Sequence, residues 1–232
     1  MININYDLLN IISKARFPQS ARLCGGKMPT MQQELSQEIA AAAARLVVEE
    51  GLDYGAAKRR AVKELGAPAR AALPDNDAVQ EQVRAYLALF RADTQPAELL
   101  ALRELALAWM QRLAEFRPHL TGAVWNGTAT RLSDVYLQLF CDDPKSAEIA
   151  LINQGVAFEA RQVRGFRGEM VDALSFSVFC SGLGEHVGVH LMIHDHDDVR
   201  GALKPAADGR PARGDEQALR ARMLENAAST MN

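Results

Sequence analysis

The spacing of apolar residues divides the chain into a first part with helical periodicity and a second part with alternating periodicity. Between Met31 and Glu50, apolar residues recur every three or four positions, and Gly51 then favours a left-handed helix end. The same pattern predicts three more helices, over residues 54–65, 76–91 and 94–117. Each of these segments starts at or just after an Asp, Asn or Thr that is suited to cap its first turn. For the helix over residues 76–91, the predicted cap is Asn76.

Apolar and polar residues alternate after Pro118, which is typical of strands with one buried face. One helix is expected at residues 144–154, where Pro144 suits the first turn and Gly155 the end, and a last helix from Glu216. Helices followed by strands indicate an α+β fold with a helical N-terminal half. The predicted strands cover residues 120–125, 134–140, 156–163, 171–180 and 187–194.

The same change of pattern predicts the domain organisation. Residues 1–30 differ in composition from the remainder, so we expect them to form a mobile tail. Residues 31–93 are then a helical region, and residues 94–232 an α+β domain.

Composition narrows the classes of function only slightly. The net charge of −3 over 232 residues provides no general basic surface, so nucleic acid is not an expected partner. The three cysteines are isolated and odd in number, which favours a reducing cytoplasm over a disulfide framework. No apolar run approaches the roughly 18 residues of a membrane span, and we expect no membrane association.

The stretch GAVWNGTATRLSDVYL, residues 122–137, carries the candidate chemistry. It resembles the signature of the polymerase-beta-like nucleotidyltransferase superfamily, in which a Gly-Ser pair is followed by Asp-hydrophobic-Asp on a strand. Here Gly122-Ala123 stands at the first position and Asp134-Val135-Tyr136 at the second. The resemblance covers about residues 96–200 and implies a nucleotidyltransferase-like mixed β-sheet flanked by helices.

Two departures from the signature change what the resemblance implies. Carboxylates two positions apart point from one face of a strand and hold divalent metal such as Mg²⁺, but Tyr136 replaces the second. Asp134 is therefore the one acidic candidate there for catalysis or for a metal ligand. Ala123 lacks the hydroxyl that the family's serine sets against the phosphates. The backbone of the turn keeps N–H groups suited to an anion. The candidate nucleotide-binding residues are Gly122, Ala123, Asn126, Gly127, Thr128, Ser133 and Tyr136.

Two residues compete for the place of the superfamily's third carboxylate. His190 lies on the strand face opposite Val189 and Leu191, while Asp172 precedes another alternating segment. Four histidines, His186, His190, His194 and His196, also share one parity, which suggests a metal site. Four-residue spacing on a strand nevertheless separates Cβ atoms by about 13 Å, too far for shared ligation.

Three hypotheses of function follow. The favoured one is a nucleotidyltransferase-fold protein with a degenerate metal site, which binds a nucleotide or regulates a partner, with the N-terminal helices as a surface for a protein partner or self-association. The alternative is a Mg²⁺-dependent nucleotidyltransferase that combines Asp134 with Asp172, Asp142 or Glu159, and with His190. The third is a structural or oligomeric protein without a ligand.

Overall fold

The computed structural model describes residues 30–68, 70–199, 209 and 211–230. The predicted mobile tail, residues 1–30, lies outside the described residues except for Thr30. The predicted α+β class is confirmed, because a helical N-terminal half is followed by a six-stranded mixed sheet with flanking helices. None of the described helices has the length and apolar character that crossing a bilayer requires.

Four helices lie among the described residues between Thr30 and Arg112, close to their predicted positions. They are α1 (Met31–Glu50), α2 (Tyr54–Glu64), α3 (Asn76–Phe90) and α4 (Gln95–Arg112), and α4 is followed by a 3₁₀ helix at Ala114–Phe116. Side chains cap the starts of the first three. The expected cap Asn76 is wrong, since the Asp75 carboxylate accepts the Ala78 N–H at 2.7 Å and Asn76 is already helical.

Helices α1 to α3 enclose a small hydrophobic core of their own. Its fully buried members come from all three helices and include Ile39, Leu46, Ala57, Val79 and Val83. Each large aliphatic side chain buried in this way stabilises the fold by about 1.5–3 kcal/mol relative to exposure. The predicted division of the chain at residues 93–94 stays a prediction.

The described strands of the second part of the chain are β1 (His119–Thr121), β2 (Val135–Phe140), β3 (Glu159–Arg164), β4 (Met170–Cys180), β5 (Glu185–His194) and β6 (Arg213–Gly214). They form one sheet in the order β3-β4-β5-β2-β1-β6. Strands β2 and β5 are parallel, and the other neighbouring pairs are antiparallel. Helix α6 (Pro144–Asn153) follows β2, and α7 (Glu216–Thr230) follows β6.

The predicted strand at residues 120–125 is wrong after Thr121. Gly122–Asn126 forms a short helix, α5, which begins at Gly122 with φ 72° and ends at Gly127 with φ 80°. Both glycines adopt the left-handed region that other residues rarely enter. The helix buries the consecutive residues Val124 and Trp125, which an alternating strand would have placed on opposite faces.

Alternation gives the sheet two different faces. Val135, Leu137 and Leu139 point to the core face, which helix α4 covers with buried residues such as Leu102 and Met110. The alternate side chains of each strand point to the opposite face, which we call the polar face. Because Tyr136 pairs with His190 and Ser175 also pairs with His190, these three side chains form one row across the polar face.

Candidate functional site

Asp134, immediately before β2, is joined to His190 and Ser175 by a chain of hydrogen bonds. His190 Nε2 lies 3.1 Å from Asp134 Oδ2, and His190 Nδ1 lies 2.9 Å from the Ser175 hydroxyl. The other carboxylate oxygen of Asp134 accepts the Gly188 N–H at 3.1 Å. Of the two residues predicted to compete for the place beside Asp134, the structure therefore puts His190 there.

The chemistry of Asp134 assigns the direction of these hydrogen bonds. An ionised carboxylate only accepts, so His190 Nε2 carries the proton and, in a neutral ring, Nδ1 accepts from Ser175. The hydrogen bond from His190 lowers the pKa of Asp134 from its ordinary value, although partial burial acts in the opposite direction. Asp134 is thus a fixed anion whose side chain is still 44% exposed.

Tyr136 stacks on His190, with ring centroids 4.7 Å apart and an interplanar angle of 25°. Burial raises the pKa of the Tyr136 phenol and the charge of Asp134 raises it further, while Arg161 acts in the opposite direction. The phenol is therefore neutral near pH 7 and adds no negative charge to that of Asp134. The residue remains 38% exposed and offers a flat aromatic surface beside the carboxylate.

Gly188 is part of the site, and sequence reasoning did not select it. A Cβ atom at this position would lie 2.6 Å from Asp134 Oδ1, so only glycine lets the carboxylate reach the backbone N–H. A glycine within an alternating strand is a recognised sign of such a close approach. Ser175 was missed as well, because only the pairing of β4 with β5 places it opposite His190.

The hydrogen bonds that Asp134 accepts bear on its predicted role as a metal ligand. Its nearest partners, the His190 Nε2–H and the Gly188 N–H, both donate and so compete with a cation for the carboxylate oxygens. Among the described residues, the one group of ligating side chains with donor atoms all within 4.8 Å of one another does not include Asp134.

The predicted nucleotide-binding turn is largely occupied by its own hydrogen bonds. The N–H groups of Gly127 and Thr128 both donate to the Ala123 carbonyl, and the Ser133 hydroxyl accepts the Thr130 N–H. These contacts remove donors that we expected to be open to an anion.

The remaining members of the predicted set face in different directions. Gly122 lies against the Tyr136 ring, since a Cβ atom on it would be 3.7 Å from that ring. The Asn126 amide donates to Gln80 of α3 at 2.9 Å, and Thr128 is only 4% exposed. The turn thus connects the N-terminal helices to the sheet, and Tyr136 is the predicted nucleotide-binding residue most open on the polar face.

The other acidic candidates lie apart from Asp134. Asp172 pairs with Ile193, whose side chain is on the core parity of β5, so Asp172 stands on the other side of the sheet from His190. Asp142 follows the far end of β2, and that end itself lies about 20 Å from Asp134 along the strand. Glu159 pairs with Ser175 and shares the polar face, but two strand spacings, about 10 Å, separate it from His190.

The four histidines of one parity do not form a common site. His186 lies near Ser177, His190 binds Asp134, and His196 belongs to a 3₁₀ helix at His196–Asp198. His194 lies at the opposite end of β5 and is only 2% exposed. This placement agrees with the expectation that four-residue spacing on a strand keeps the histidines too far apart for shared ligation.

No family model and no curated protein sequence matches the chain. Two structures of the Cid1 poly(U) polymerase resemble half of it. The one with MgGTP bound is 14% identical with a TM-score of 0.32 and covers 50% of this chain and 38% of that polymerase. The complex with the UTP analogue UMPNPP is 16% identical with a TM-score of 0.31 and covers 50% and 36%. The chain thus spans less than two fifths of that polymerase, and we derive neither site nor activity from so distant a likeness.

Proposed function

We propose that this chain is a nucleotidyltransferase-like protein that binds a nucleotide on its polar face without conventional two-metal catalysis. The observation that carries the proposal is the pair formed by Asp134 and the stacked rings of Tyr136 and His190. One carboxylate is held by hydrogen bonds, and a half-exposed aromatic surface lies directly beside it. The signature resemblance in residues 122–137 provides the class of ligand.

The charge at the site argues against efficient phosphoryl transfer. That reaction depends almost wholly on positioning and on neutralising charge, and metals held between several carboxylates supply the neutralisation. Asp134 contributes a single negative charge, and Tyr136 contributes none. Loss of the second carboxylate removes most of the stabilisation of the transition state while leaving surfaces that bind a base.

Two features of the polar face support nucleotide binding. Stacking of a base on an aromatic side chain contributes about 1–3 kcal/mol, and the exposed surface of Tyr136 suits such stacking. Arg161 acts electrostatically on Tyr136 and carries the positive charge that phosphate groups require. A base on Tyr136 with its phosphates towards Arg161 satisfies both features. Mg²⁺ then enters as the counter-ion of the nucleotide's phosphates.

The test is isothermal titration of the full chain with ATP, CTP, GTP and UTP, each with MgCl₂ and with EDTA. We expect at least one nucleotide to bind, and Tyr136→Ala to weaken that binding about 5- to 150-fold, the equivalent of one stacking contact. Phe179→Ala is the matched control, since Phe179 is an exposed aromatic residue of β4 that pairs with His186 rather than His190. Absence of heat with all four nucleotides would exclude the proposal and leave the structural or oligomeric protein.

The second candidate is a transferase that uses a non-standard set of acidic groups. Glu159 favours it over the other acidic residues considered, because it shares the polar face and the cross-strand row of His190. This candidate predicts that labelled nucleotide is transferred to an acceptor and that Asp134→Ala abolishes the transfer. Transfer that persists in Asp134→Ala would contradict the assignment of Asp134.

A protein partner or self-association through the N-terminal helices completes the proposal. Leu89 is 71% exposed and Phe90 43% exposed at the end of α3, which is the kind of surface that a partner covers. Sedimentation of the wild type beside Leu89→Glu tests self-association. A concentration-independent monomer in both proteins would leave only a different partner for this surface.

A further inference from the structure

A second group of ligating side chains lies at the opposite end of the polar face from Asp134. It consists of Glu169, in the turn between β3 and β4, His194, the last residue of β5, and Asp198, the last residue of the 3₁₀ helix. Since Asp134 precedes β2 and His194 pairs with the last residue of that strand, about 20 Å of sheet separates the two places. The proposed nucleotide site does not use this group.

The donor atoms of the three side chains converge on one point. One ligand atom from each of Glu169, His194 and Asp198 lies within 4.8 Å of the others, and His194 Nδ1 is 3.7 Å from Glu169 Oε1. Ligands about 2.0–2.2 Å from a tetrahedral zinc ion are about 3.3–3.6 Å apart. Small side-chain rotations therefore bring all three into the first coordination sphere of a single ion.

Several buried atoms of this cluster have no hydrogen-bond partner among the described residues. They are both ring nitrogens of His194 and both carboxylate oxygens of Glu169, all of them inaccessible to solvent, and the His194 side chain is 0% exposed. Leaving a buried polar group unpaired costs about 1–3 kcal/mol, and more when the group is charged. Four such atoms meeting in one place form a site that a ligand can complete.

The surroundings hold the cluster in position. His194 lies between Phe140 and Phe166, with ring centroids 5.6 and 4.7 Å away, which restricts the imidazole plane. A Cβ atom at Gly165 would collide with the Glu169 carboxylate, so glycine there makes room for it. An apolar shell of this kind limits water around a bound ion.

The charges of the neighbouring groups are compatible with a cation. Two carboxylates face the histidine, and Arg213 lies near it as an opposing positive charge. Arg167 forms an ion pair with Asp198, but its side chain is 53% exposed and can leave without any loss of packing in the core.

We propose that Glu169, His194 and Asp198 form a binding site for one divalent transition metal ion of the Zn²⁺ type. One imidazole and two carboxylates are ligands that Zn²⁺ accepts, whereas Mg²⁺ and Ca²⁺ prefer oxygen ligands alone. The ion ties the β3–β4 turn and the 3₁₀ helix to the end of β5. Three protein ligands leave the fourth position of a tetrahedral ion to water.

The experiment titrates Co²⁺ and then Zn²⁺ into the untagged full chain after treatment with EDTA, with absorption spectra and calorimetry as readouts. We expect one ion per chain, visible bands of Co²⁺ with nitrogen and oxygen ligands, and displacement of Co²⁺ by Zn²⁺. Glu169→Gln and Asp198→Asn keep the shape of each side chain and should each weaken Zn²⁺ binding by more than about 100-fold, beyond the loss seen for residues that only support ligands. Circular dichroism confirms the fold of each variant.

Two control variants separate this site from other sources of binding. Asp197→Asn alters a neighbouring acidic residue outside the cluster, and Asp134→Asn alters the proposed nucleotide site, so both should bind Zn²⁺ as the wild type does. Absence of stoichiometric binding by the wild type would overturn the proposal. Unchanged binding in the double variant Glu169→Gln, Asp198→Asn would overturn it as well. Neither result affects the nucleotide titrations, so the two proposals fail independently.

Discussion

The hydrogen bond between Asp134 and His190 makes a measurable prediction about stability. A hydrogen bond to a charged group contributes about 1.5–3 kcal/mol when it is buried. The Asp134 side chain is 44% exposed and that of His190 17%, so solvent screens part of the interaction. We therefore expect a coupling free energy of about 1 kcal/mol between the two side chains at pH 7.

A double-mutant cycle isolates this coupling from the other effects of each substitution. The free energy of unfolding is measured by urea denaturation for the wild type, Asp134→Ala, His190→Ala and the double variant. The matched control cycle pairs Asp172→Ala with His190→Ala. Because Asp172 lies on the other side of the sheet, that cycle should show no coupling. A coupling below about 0.3 kcal/mol between Asp134 and His190, which is within the additivity expected of independent sites, would refute the reasoning.

The same cycle has a defined dependence on pH. The pKa of Asp134 is lowered in the folded chain, chiefly by His190, so the unfolded chain binds the proton more readily. The stabilisation is therefore complete above the ordinary aspartate pKa of about 4 and is lost as the pH falls through the lower, folded pKa. The coupling is measured from pH 5 down to the lowest pH at which the protein remains folded. A coupling that stays constant over this interval would show that Asp134 is not the titrating partner.

Three further predictions concern single substitutions. Gly188→Ala places a Cβ atom against the Asp134 carboxylate. We expect the free energy of unfolding, measured by urea denaturation, to fall by about 1–3 kcal/mol and nucleotide binding to weaken. Unchanged nucleotide binding would show that the ligand does not require the carboxylate in this position. Gly214→Ala drives a methyl group into the buried Trp125 ring, and thermal unfolding should show a clear loss of stability and altered tryptophan fluorescence. Asp53→Ala removes the cap of α2 and should cost about 1 kcal/mol, while Asp53→Asn, which can still cap, should cost less.

Local signals in the sequence predicted the regular elements well. Helix ends followed from caps and glycines such as Gly51, and strands followed from alternation, because both depend on near neighbours in the chain. Helix α5 escaped prediction since five residues are too few to display a helical period. Residues 120–125 were therefore predicted as a strand, although two glycines in the left-handed conformation mark the start and the end of the helix.

The candidate site was predictable only in part, for a different reason. Parity along a strand placed Asp134 and His190 each on a polar face, but no local pattern determines which strands become neighbours. The parallel pairing of β2 with β5 brings Tyr136 opposite His190, and the antiparallel pairing of β4 adds Ser175. The sequence alone did not decide between Asp172 and His190. The register of β4 and β5 places Asp172 on the other side of the sheet from His190.

The parallel register of β2 and β5 also explains why the polar face has two different candidate sites, one at each end. Tyr136 stacks on its partner His190 at one end, and Phe140 stacks on its partner His194 four residues further on. The two ends differ in what covers them. The β3–β4 turn closes the His194 end, where Phe166 packs against the imidazole, whereas Tyr136 remains 38% exposed. A molecule that binds and leaves therefore suits the Tyr136 end, and an ion held as part of the fold suits the His194 end.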